Sequence, residues 1–375
     1  MAEIELVEVT KRYKNTVAIE GLSLQIKDNE FFVLFGPAGA GKTTTLKTIA
    51  GIEFPQEGLV KIGGEIVNLV EPMYRNVSMV FENYALYPHM NVYDNIAFPL
   101  RSRLHRKDEA YIKQAVEKVV TMLHIEGLNE RKPSQLSNGQ RQRVAIGRCL
   151  VREPSVFLMD EPLAHLDAKL RHFMRGELKE MQSAFNTTTI YVTHDFMEAM
   201  SLADRIAVLN KGKIEQLGTS LQMYYTPQNE FIARLFGEPE MNLFPAELVT
   251  EEGSLKLRVL GQESLLLPEP DAAEVLRKQN TAKIDIGIRG LDVSFSFSPM
   301  DKSWIAGTVY AFEPIGNKVI MTVNVSGARI QIATVNNITA DLDQTVYIKF
   351  NMKNALYFNS ETGVFITRSD IQRYM

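Results

Sequence analysis

The sequence contains few of the features that mark secreted, membrane-spanning or nucleic-acid-binding proteins. Its single cysteine, Cys149, excludes an internal disulfide and fits a reducing compartment. No run approaches the roughly 18 uninterrupted apolar residues that a membrane-spanning helix requires. The formal net charge of -4 provides no general attraction to nucleic acid or to an anionic membrane. We therefore expect no nucleic acid partner.

The start of the chain also lacks a secretion signal. The segment MAEIELVEVTKRYK has acidic side chains where a signal peptide needs a basic segment followed by an apolar block. We therefore expect the chain to be kept in the cytoplasm. There Cys149 is expected to be a small buried apolar residue.

The length and the change of pattern along the chain predict two domains. The chain has 375 residues, of which 45% are hydrophobic and 23% charged, and this is too long for one ordinary core. Helix-like sequence gives way to strand-like sequence after Leu235. We place the boundary near Gly237, which predicts domains at 1–236 and 237–375.

The first part alternates short apolar runs with helical patterns, which predicts an α/β core with a mainly parallel sheet. The predicted strands are Phe31–Phe35 (FFVLF), Val156–Asp160 (VFLMD) and Thr187–Thr193 (TTTIYVT). A helix is predicted from Lys42 to Ile49, ending before Gly51.

Residues 90–150 have a helical pattern, and we expect a helical subdomain on this core. Within this stretch, one predicted helix face contains apolar residues at helical spacing. They are Ile112, Ala115, Val116, Val119 and Leu123.

The last part of the sequence alternates apolar and polar residues in short segments separated by Gly, Asn and Pro. This pattern predicts a small antiparallel β domain. The clearest segments are 284–288, 319–325, 329–332 and 345–350.

Residues Gly36–Thr43, GPAGAGKT, match the complete phosphate-binding pattern G-x-x-x-x-G-K-[ST] between a predicted strand and a predicted helix. Glycines let backbone N–H groups surround a phosphate, and the positive end of the helix faces the anion. We expect Lys42 to reach the β- and γ-phosphates of ATP and Thr43 to ligate Mg²⁺. The alternative is a structural turn without a ligand. The predicted nucleotide contacts are Gly36, Pro37, Ala38, Gly39, Ala40, Gly41, Lys42, Thr43 and Thr44.

Two acidic residues end the predicted strand VFLMD. Asp160 is expected to hold Mg²⁺, and Glu161 is expected to activate the attacking water as a general base or polarising group. The alternative is that both carboxylates only cap a helix.

The segment LSNGQRQR begins a helix with a capping box formed by Ser137 and Gln140. It precedes VFLMDEP by about twenty residues and resembles the signature sequence of ABC ATPases, usually LSGGQ. In that family this helix N-terminus contacts the γ-phosphate bound by the opposite subunit. The resemblance therefore adds Ser137, Asn138, Gly139 and Gln140 to the nucleotide contacts.

Further segments match the family in order. Tyr13 is located where the family stacks an aromatic ring on adenine, and the alternative is an ordinary surface tyrosine. Leu163–Asp167 (LAHLD) occupies the position of the D-loop, where Asp167 approaches the opposite subunit. His194 matches the switch histidine that contacts the γ-phosphate, with a structural histidine as the alternative.

Within the ABC family, the chain most resembles the ATPase subunits of carbohydrate and glycerol-phosphate importers. Three stretches carry this resemblance: 83–100, 161–171 and 201–219. The C-terminal part looks like the OB-like, TOBE-type regulatory domain of those subunits. The match is looser there, because Gly287–Leu291 reads GIRGL where members commonly have G-[IV]-R-P-E.

Three positions depart from the family pattern. Glu82 replaces the glutamine of the Q-loop, although its carboxylate is still expected to bind Mg²⁺ and assist catalysis. Asn138 replaces the second glycine of the signature, and Ala164 replaces the usual serine of the D-loop. These departures leave open whether the second ATPase subunit is identical or a paralogue with an unequal ATP site.

The resemblance implies an assembly on the cytoplasmic face of a membrane. Its other parts would be a second ATPase subunit, two membrane-spanning permease subunits and an extracytoplasmic solute-binding protein. Tyr84, Leu86, Tyr87 and Pro88 are candidates for the groove that contacts the permease, or they pack within the helical subdomain. The alternatives are a weakly active regulatory subunit and an ABC ATPase that acts on nucleic acid or ribosomes.

Overall fold

The computed structural model describes residues 2–185, 187–251, 253–261, 265–279, 281–301, 303–335 and 338–374. The chain forms two compact units, Met1–Ser220 and Leu221–Met375. This division precedes the predicted domain boundary near Gly237. It does so because the helices after Ser220 pack with the second unit, where Ala233 is buried beside Met241 and Phe358.

The first unit contains two sheets. Its strands are β1 (Ile4–Tyr13), β2 (Thr16–Ile26), β3 (Phe31–Phe35), β4 (Glu57–Ile62), β5 (Glu65–Ile66), β6 (Val77–Val80), β7 (Val156–Asp160), β8 (Thr188–Thr193), β9 (Arg205–Asn210) and β10 (Lys213–Gly218). One sheet is antiparallel, in the order β2-β1-β4-β5. The other has the order β10-β9-β3-β8-β7-β6 and is parallel except for β10.

The predicted parallel strands are confirmed. Strands β3 and β7 have the predicted limits, and β8 begins one residue later than predicted, at Thr188. Every residue of these three strands is buried, which explains why their sequences are continuous apolar or Thr-rich runs without alternation.

The helices of the first unit follow the predicted pattern. They are α1 (Lys42–Ala50), α2 (Val92–Arg101), α3 (Glu109–Met122), α4 (Asn138–Leu150), α5 (Ala168–Phe185) and α6 (Phe196–Leu202). Helices α2, α3 and α4 form the predicted helical subdomain. The apolar face of α3 is buried as expected, except that Ala115 is half-buried.

Cys149 is buried in α4, as predicted, and its thiol donates to the Met79 carbonyl oxygen at 3.4 Å. Burial raises the pKa of this thiol to about 11. Among the described residues, no helix is both long enough and apolar enough to cross a bilayer.

The second unit is mainly antiparallel β structure, which confirms the predicted class of the C-terminal part. Its helices are α7 (Ser220–Tyr225, which begins at the last residue of the first unit), α8 (Glu230–Leu235) and α9 (Pro270–Arg277). Its strands are β11 (Asn242–Glu251), β12 (Ser254–Val259), β13 (Leu265–Leu266), β14 (Lys283–Ile288), β15 (Val293–Ser296), β16 (Ile305–Ile315), β17 (Lys318–Val325), β18 (Ala328–Thr334), β19 (Thr345–Phe350), β20 (Leu356–Asn359) and β21 (Phe365–Arg368).

Two sheets enclose a large apolar core in this unit. Their strand orders are β13-β12-β11-β14-β20-β21 and β15-β19-β16-β17-β18. The core joins inward-facing residues of both sheets, among them Ile286, Val323 and Ile348, all fully buried. In the segment 287–291, Arg289 matches the family pattern, and its buried guanidinium lies 3.5 Å from the ring centre of Tyr224 and donates to the Tyr224 carbonyl oxygen at 2.6 Å.

Candidate functional site

The loop between β3 and α1 is shaped by two glycines. A Cβ atom on Gly36 would lie 2.2 Å from the Leu209 carbonyl oxygen, and one on Gly41 would lie 2.5 Å from the Ala18 carbonyl oxygen. Gly41 also has φ +104°, a backbone conformation that residues with side chains rarely adopt. The loop therefore depends on glycine at both positions.

Lys42 lies inside this loop. Its ammonium group donates to the carbonyl oxygens of Gly36 and Pro37 at 2.9 and 3.0 Å. The Glu161 carboxylate lies close by, with its Oε1 at 3.6 Å from the Lys42 Nζ. Burial lowers the pKa of Lys42, and the nearby Glu161 partly opposes this shift. The ammonium group is therefore a largely desolvated cation at the start of α1.

Thr43 and Asp160 bring two hard oxygen donors together. The Thr43 hydroxyl donates to Asp160 Oδ1 at 2.9 Å, joining the start of α1 to the end of β7. Burial raises the pKa of Asp160, and the Thr43 hydrogen bond opposes this shift. A hydroxyl beside a buried carboxylate is a donor pair that fits Mg²⁺. No group of three or more His, Cys, Asp or Glu side chains arranged for a metal occurs in the described parts of the chain.

Glu161 and His194 form the next contact along the same sheet edge. Glu161 Oε2 is 2.8 Å from His194 Nδ1. Glu161 has φ +45° and its amide donates to the Val192 carbonyl oxygen at 3.0 Å. A left-handed conformation is uncommon for a residue other than glycine, and such residues cluster at functional sites.

Sequence reasoning missed a buried group of side chains behind His194. Thr193 and Tyr191 donate to the same oxygen of Glu198, Oε2, at 2.7 and 2.8 Å. Burial raises the pKa of Glu198, and these two hydrogen bonds oppose the shift. The available signal is the spacing Asp195-x-x-Glu198, which indicates only a helix start. In the structure Asp195 caps α6, whereas the Glu198 carboxylate does not bond the Asp195 N–H, which donates to Thr193.

Glu82 follows β6 and is exposed. Its Oε1 is 3.7 Å from Nε2 of His165, a residue of the D-loop. Burial raises the pKa of Asp160, and the charge of Glu82 adds a smaller contribution to that rise. In this arrangement the Glu82 carboxylate approaches the D-loop.

Tyr13 is 40% exposed at the end of β1. The Lys11 ammonium lies 5.1 Å from its ring centre. Burial raises the pKa of Tyr13, while a side-chain hydrogen bond with Thr44 lowers it. Since Thr44 belongs to the first turn of α1, the ring of Tyr13 is adjacent to the loop that holds Lys42.

The signature residues and Asp167 make local contacts. Ser137 and Gln140 form the predicted capping box: the Ser137 hydroxyl accepts from Gln140 N at 3.3 Å, and Gln140 Oε1 accepts from Ser137 N at 3.0 Å. Asp167 Oδ1 accepts from Leu170 N at 2.9 Å. Ser137, Asn138 and Asp167 are exposed, whereas Gly139 is packed against Leu170.

A groove of about 400 Å³ lies beside the loop that follows Glu82. Its lining includes Met73, Tyr87, Phe98, Leu104, His105 and Arg148. Of the predicted groove residues, Tyr87 lines it. Tyr84 is buried instead, in an edge-to-face contact with the His165 ring.

Comparisons with known proteins show the family to which the chain belongs. A family model described as ABC transporter matches residues 19–164. The trehalose/maltose import ATP-binding protein MalK of Thermococcus litoralis is 42% identical, over 97% of this chain and 99% of the relative. The chain belongs to the ATP-binding subunits of ABC importers. The resemblance seen in the sequence is thereby confirmed.

Other relatives carry related names. The osmoprotective compounds uptake ATP-binding protein GgtA of Synechocystis is 40% identical, over 97% of this chain and 100% of the relative. The sn-glycerol-3-phosphate import ATP-binding protein UgpC of Rhizobium meliloti is 44% identical, over 84% of this chain and 90% of the relative.

Solved structures match the ABC cassette. A dimeric post-hydrolysis structure of the cassette MJ0796, bound to ADP and Pi, has a TM-score of 0.53 and 31% identity, covering 58% of this chain and 98% of that one. The CbiO1 structure from Clostridium perfringens has a TM-score of 0.55 and 27% identity, covering 58% and 89%. The predicted ABC-type fold is confirmed.

The glycine requirement of the phosphate loop leads to a testable comparison of Gly41→Ala with Gly64→Ala. Both glycines have positive φ, but a Cβ on Gly64 meets nothing within 4 Å. Both variants should carry about 1–2 kcal/mol of backbone strain. Only Gly41→Ala adds the clash with Ala18, for which we expect about 1–3 kcal/mol more.

Chemical denaturation measures the free energy of unfolding of both variants, and titration measures their ATP affinity. We expect Gly41→Ala to lower the free energy of unfolding more than Gly64→Ala does. Gly41→Ala should also weaken ATP binding, whereas Gly64→Ala should keep the parental ATP affinity. Equal effects of the two substitutions would contradict the assigned role of the Gly41 backbone.

Proposed function

We propose that this chain hydrolyses Mg-ATP to drive uptake of a sugar, polyol, glycerol or glycerol-phosphate type solute through separate membrane subunits. The observation that carries the proposal is the convergence of Lys42, the Thr43–Asp160 pair and the Glu161–His194 pair at one sheet edge. Membership of the importer family gives this constellation its context.

ATP binding is assigned to the loop Gly36–Thr44 and to Tyr13. The ammonium group of Lys42 exchanges its two loop carbonyl partners for the β- and γ-phosphates, which carry full negative charge. The glycine-shaped loop and the positive N-terminus of α1 are assigned to the same phosphates. The half-exposed ring of Tyr13 provides a surface on which adenine stacks.

Thr43 and Asp160 would hold Mg²⁺, with Glu82 as an additional oxygen donor once it leaves His165. When bound, Mg²⁺ neutralises charge on the phosphate oxygens. Burial and the charges of Glu161 and Glu82 raise the pKa of Asp160, while the Thr43 hydrogen bond and the charge of Lys47 oppose the rise. A further cation at this position would favour the ionised carboxylate.

Hydrolysis is assigned to Glu161 and His194. The Glu161 carboxylate accepts the proton of the attacking water or polarises it, and His194 contacts the γ-phosphate. In the present arrangement Glu161 contacts both Lys42 and His194. Binding of the phosphates to Lys42 would free one carboxylate oxygen from its cationic neighbour.

The role of Glu161 is tested with Glu161→Gln. The amide retains the shape of the side chain but does not accept a proton, so ATP should bind while hydrolysis slows by about 10²–10⁴-fold. The measurements are nucleotide affinity and steady-state ATPase rate. Glu126→Gln, at an exposed glutamate in the turn after α3, is the control and should keep the parental rate. Parental hydrolysis by Glu161→Gln would mean that another group activates the water.

The exposed signature residues indicate a second ATPase subunit. Ser137 and Asn138 are exposed at the start of α4, where the capping box of Ser137 and Gln140 holds the first turn in place. Asp167 is likewise exposed just before α5. A helix N-terminus of this kind favours an anion. We assign its anion to the γ-phosphate bound by the partner subunit, so that two ATP molecules lie between two subunits.

This assignment is tested with Ser137→Arg. Its bulk would occupy the place of the partner's γ-phosphate, so the monomer should bind ATP with parental affinity while dimer-dependent hydrolysis is lost. Ser298→Arg, at an exposed serine of the second unit, is the control and should leave both properties unchanged. Loss of ATP binding by the Ser137→Arg monomer would contradict a site shared between subunits.

The groove beside Tyr87 is our candidate contact for two membrane-spanning permease subunits, which would keep the chain on the cytoplasmic face of the membrane. Arg148 connects this groove to the loop after Glu82 by donating to the carbonyl oxygens of Tyr84 and Ala85 at 3.0 and 2.7 Å. An extracytoplasmic solute-binding protein would deliver the solute. Whether the two ATPase subunits are identical or paralogous decides how many sites contain Glu82, Asn138 and Ala164.

A further inference from the structure

A buried cluster behind His194 carries a further inference, which depends on the proposed role of His194 in hydrolysis. The cluster consists of Arg171, Tyr191, Thr193, Asp195 and Glu198. Tyr191, Thr193 and Glu198 are almost fully buried, at 0%, 2% and 3% exposure. A buried carboxylate is costly unless hydrogen bonds satisfy it, and here two hydroxyl donors do so.

The cluster holds the backbone on both sides of His194. Thr193 precedes His194, and its hydroxyl donates to Glu198 Oε2 at 2.7 Å. The same hydroxyl oxygen accepts from the amide of Asp195, the following residue, at 3.0 Å. His194 itself is exposed, and its ring contacts Glu161. The position of its ring therefore depends on a backbone that Thr193 and Glu198 hold in place.

Arg171 connects this backbone to the D-loop, Leu163–Asp167. One guanidinium nitrogen, Nη1, donates to Asp195 Oδ2 at 2.9 Å, and the other, Nη2, donates to the Leu166 carbonyl oxygen at 3.2 Å. The buried Nε lies 3.8 Å from Glu198 Oε1, beyond hydrogen-bond distance, so the interaction there is electrostatic. The planar fork of arginine is suited to such fixed, multiple contacts.

We infer that Glu198 and Arg171 are positioning residues for His194. Glu198, through Thr193, fixes the backbone around His194, and Arg171 transmits the position of the D-loop to that backbone. Asp167 of the D-loop is exposed. If it lies in the proposed interface between two ATPase subunits, closure of the subunits would act on His194 through Arg171. The rate of hydrolysis would then depend on the partner subunit through His194, although the partner does not contact His194.

The first test uses Thr193→Val and Thr193→Ser. Valine has nearly the shape of threonine but lacks the hydroxyl, whereas serine keeps it. Thr193→Val removes these hydrogen bonds next to the reacting site, so we expect kcat to fall about tenfold. The rate is measured on the full-length chain purified with its membrane subunits. KM for ATP and nucleotide affinity should change less than about twofold, because the cluster does not contact the phosphate loop.

Two further readouts separate positioning from a general loss of structure. The Asp195 amide should exchange hydrogen faster in Thr193→Val than in Thr193→Ser, since only serine restores its acceptor. In a His194→Ala background, Thr193→Val should cause no further loss of kcat, because the residue through which it acts is gone. Arg171→Lys should also lower kcat, and it should cause no further loss of kcat in the His194→Ala background. Equal melting temperatures of Arg171→Lys and the parent would show that the variant is folded.

The outcomes are distinguishable. If His194→Ala alone hydrolyses ATP at the parental rate, the proposed role of His194 fails. If His194→Ala is impaired but Thr193→Val keeps the parental kcat, the inference fails while the proposed function stands. If Thr193→Val still lowers kcat tenfold in the His194→Ala background, the positioning inference also fails. A loss that serine rescues and that His194→Ala removes supports the inference.

Discussion

The parallel pairing of β8 with both β3 and β7 is the constraint on which the site depends. Each of these strands ends at a residue that leads into the chemistry: β3 into Gly36, β7 into Glu161 and β8 into His194. Because parallel strands end at the same edge of a sheet, three segments that are far apart in sequence meet there. The complete burial of the three strands explains why this arrangement is strongly specified.

Glu161 is the residue at which the charges of this edge meet. Its two carboxylate oxygens have separate partners: Oε1 is 3.6 Å from the Lys42 ammonium nitrogen, and Oε2 is 2.8 Å from the His194 ring nitrogen Nδ1. The neighbouring Asp160 is bonded to Thr43 instead. Adjacent carboxylates on one strand end thus have different partners, which fits their assignment to different tasks.

The sequence predicts the elements of the fold better than the contacts between them. Continuous apolar runs predict β3 and β7, and the phosphate-loop pattern predicts the start of α1. The spacing of Ser137 and Gln140 predicts their capping box. The cluster behind His194 was not predictable in the same way. Tyr191 and Thr193 share one face of β8 by the two-residue period of a strand. The residue pattern at 195–198, however, suggests that Glu198 caps its own helix, whereas its carboxylate binds those two hydroxyls.

Other contacts depend on how distant segments pack. The approach of Glu82 to His165 joins the loop after β6 to the D-loop, and nothing in either segment alone indicates it. The burial of Tyr84 beside His165 belongs to the same packing. The membership of α8 in the second unit follows from Ala233 lying against Met241 and Phe358, contacts that helical periodicity does not identify.

The central claim is that the loop Gly36–Thr44 binds ATP through the charge of Lys42. The most direct test is equilibrium titration of the full-length chain with ATP, comparing Lys42→Ala with Lys118→Ala, an exposed lysine of α3. Backbone N–H groups alone do not neutralise the β- and γ-phosphates, so tight binding should be abolished in Lys42→Ala and retained in Lys118→Ala. Undiminished ATP affinity of Lys42→Ala would contradict the account.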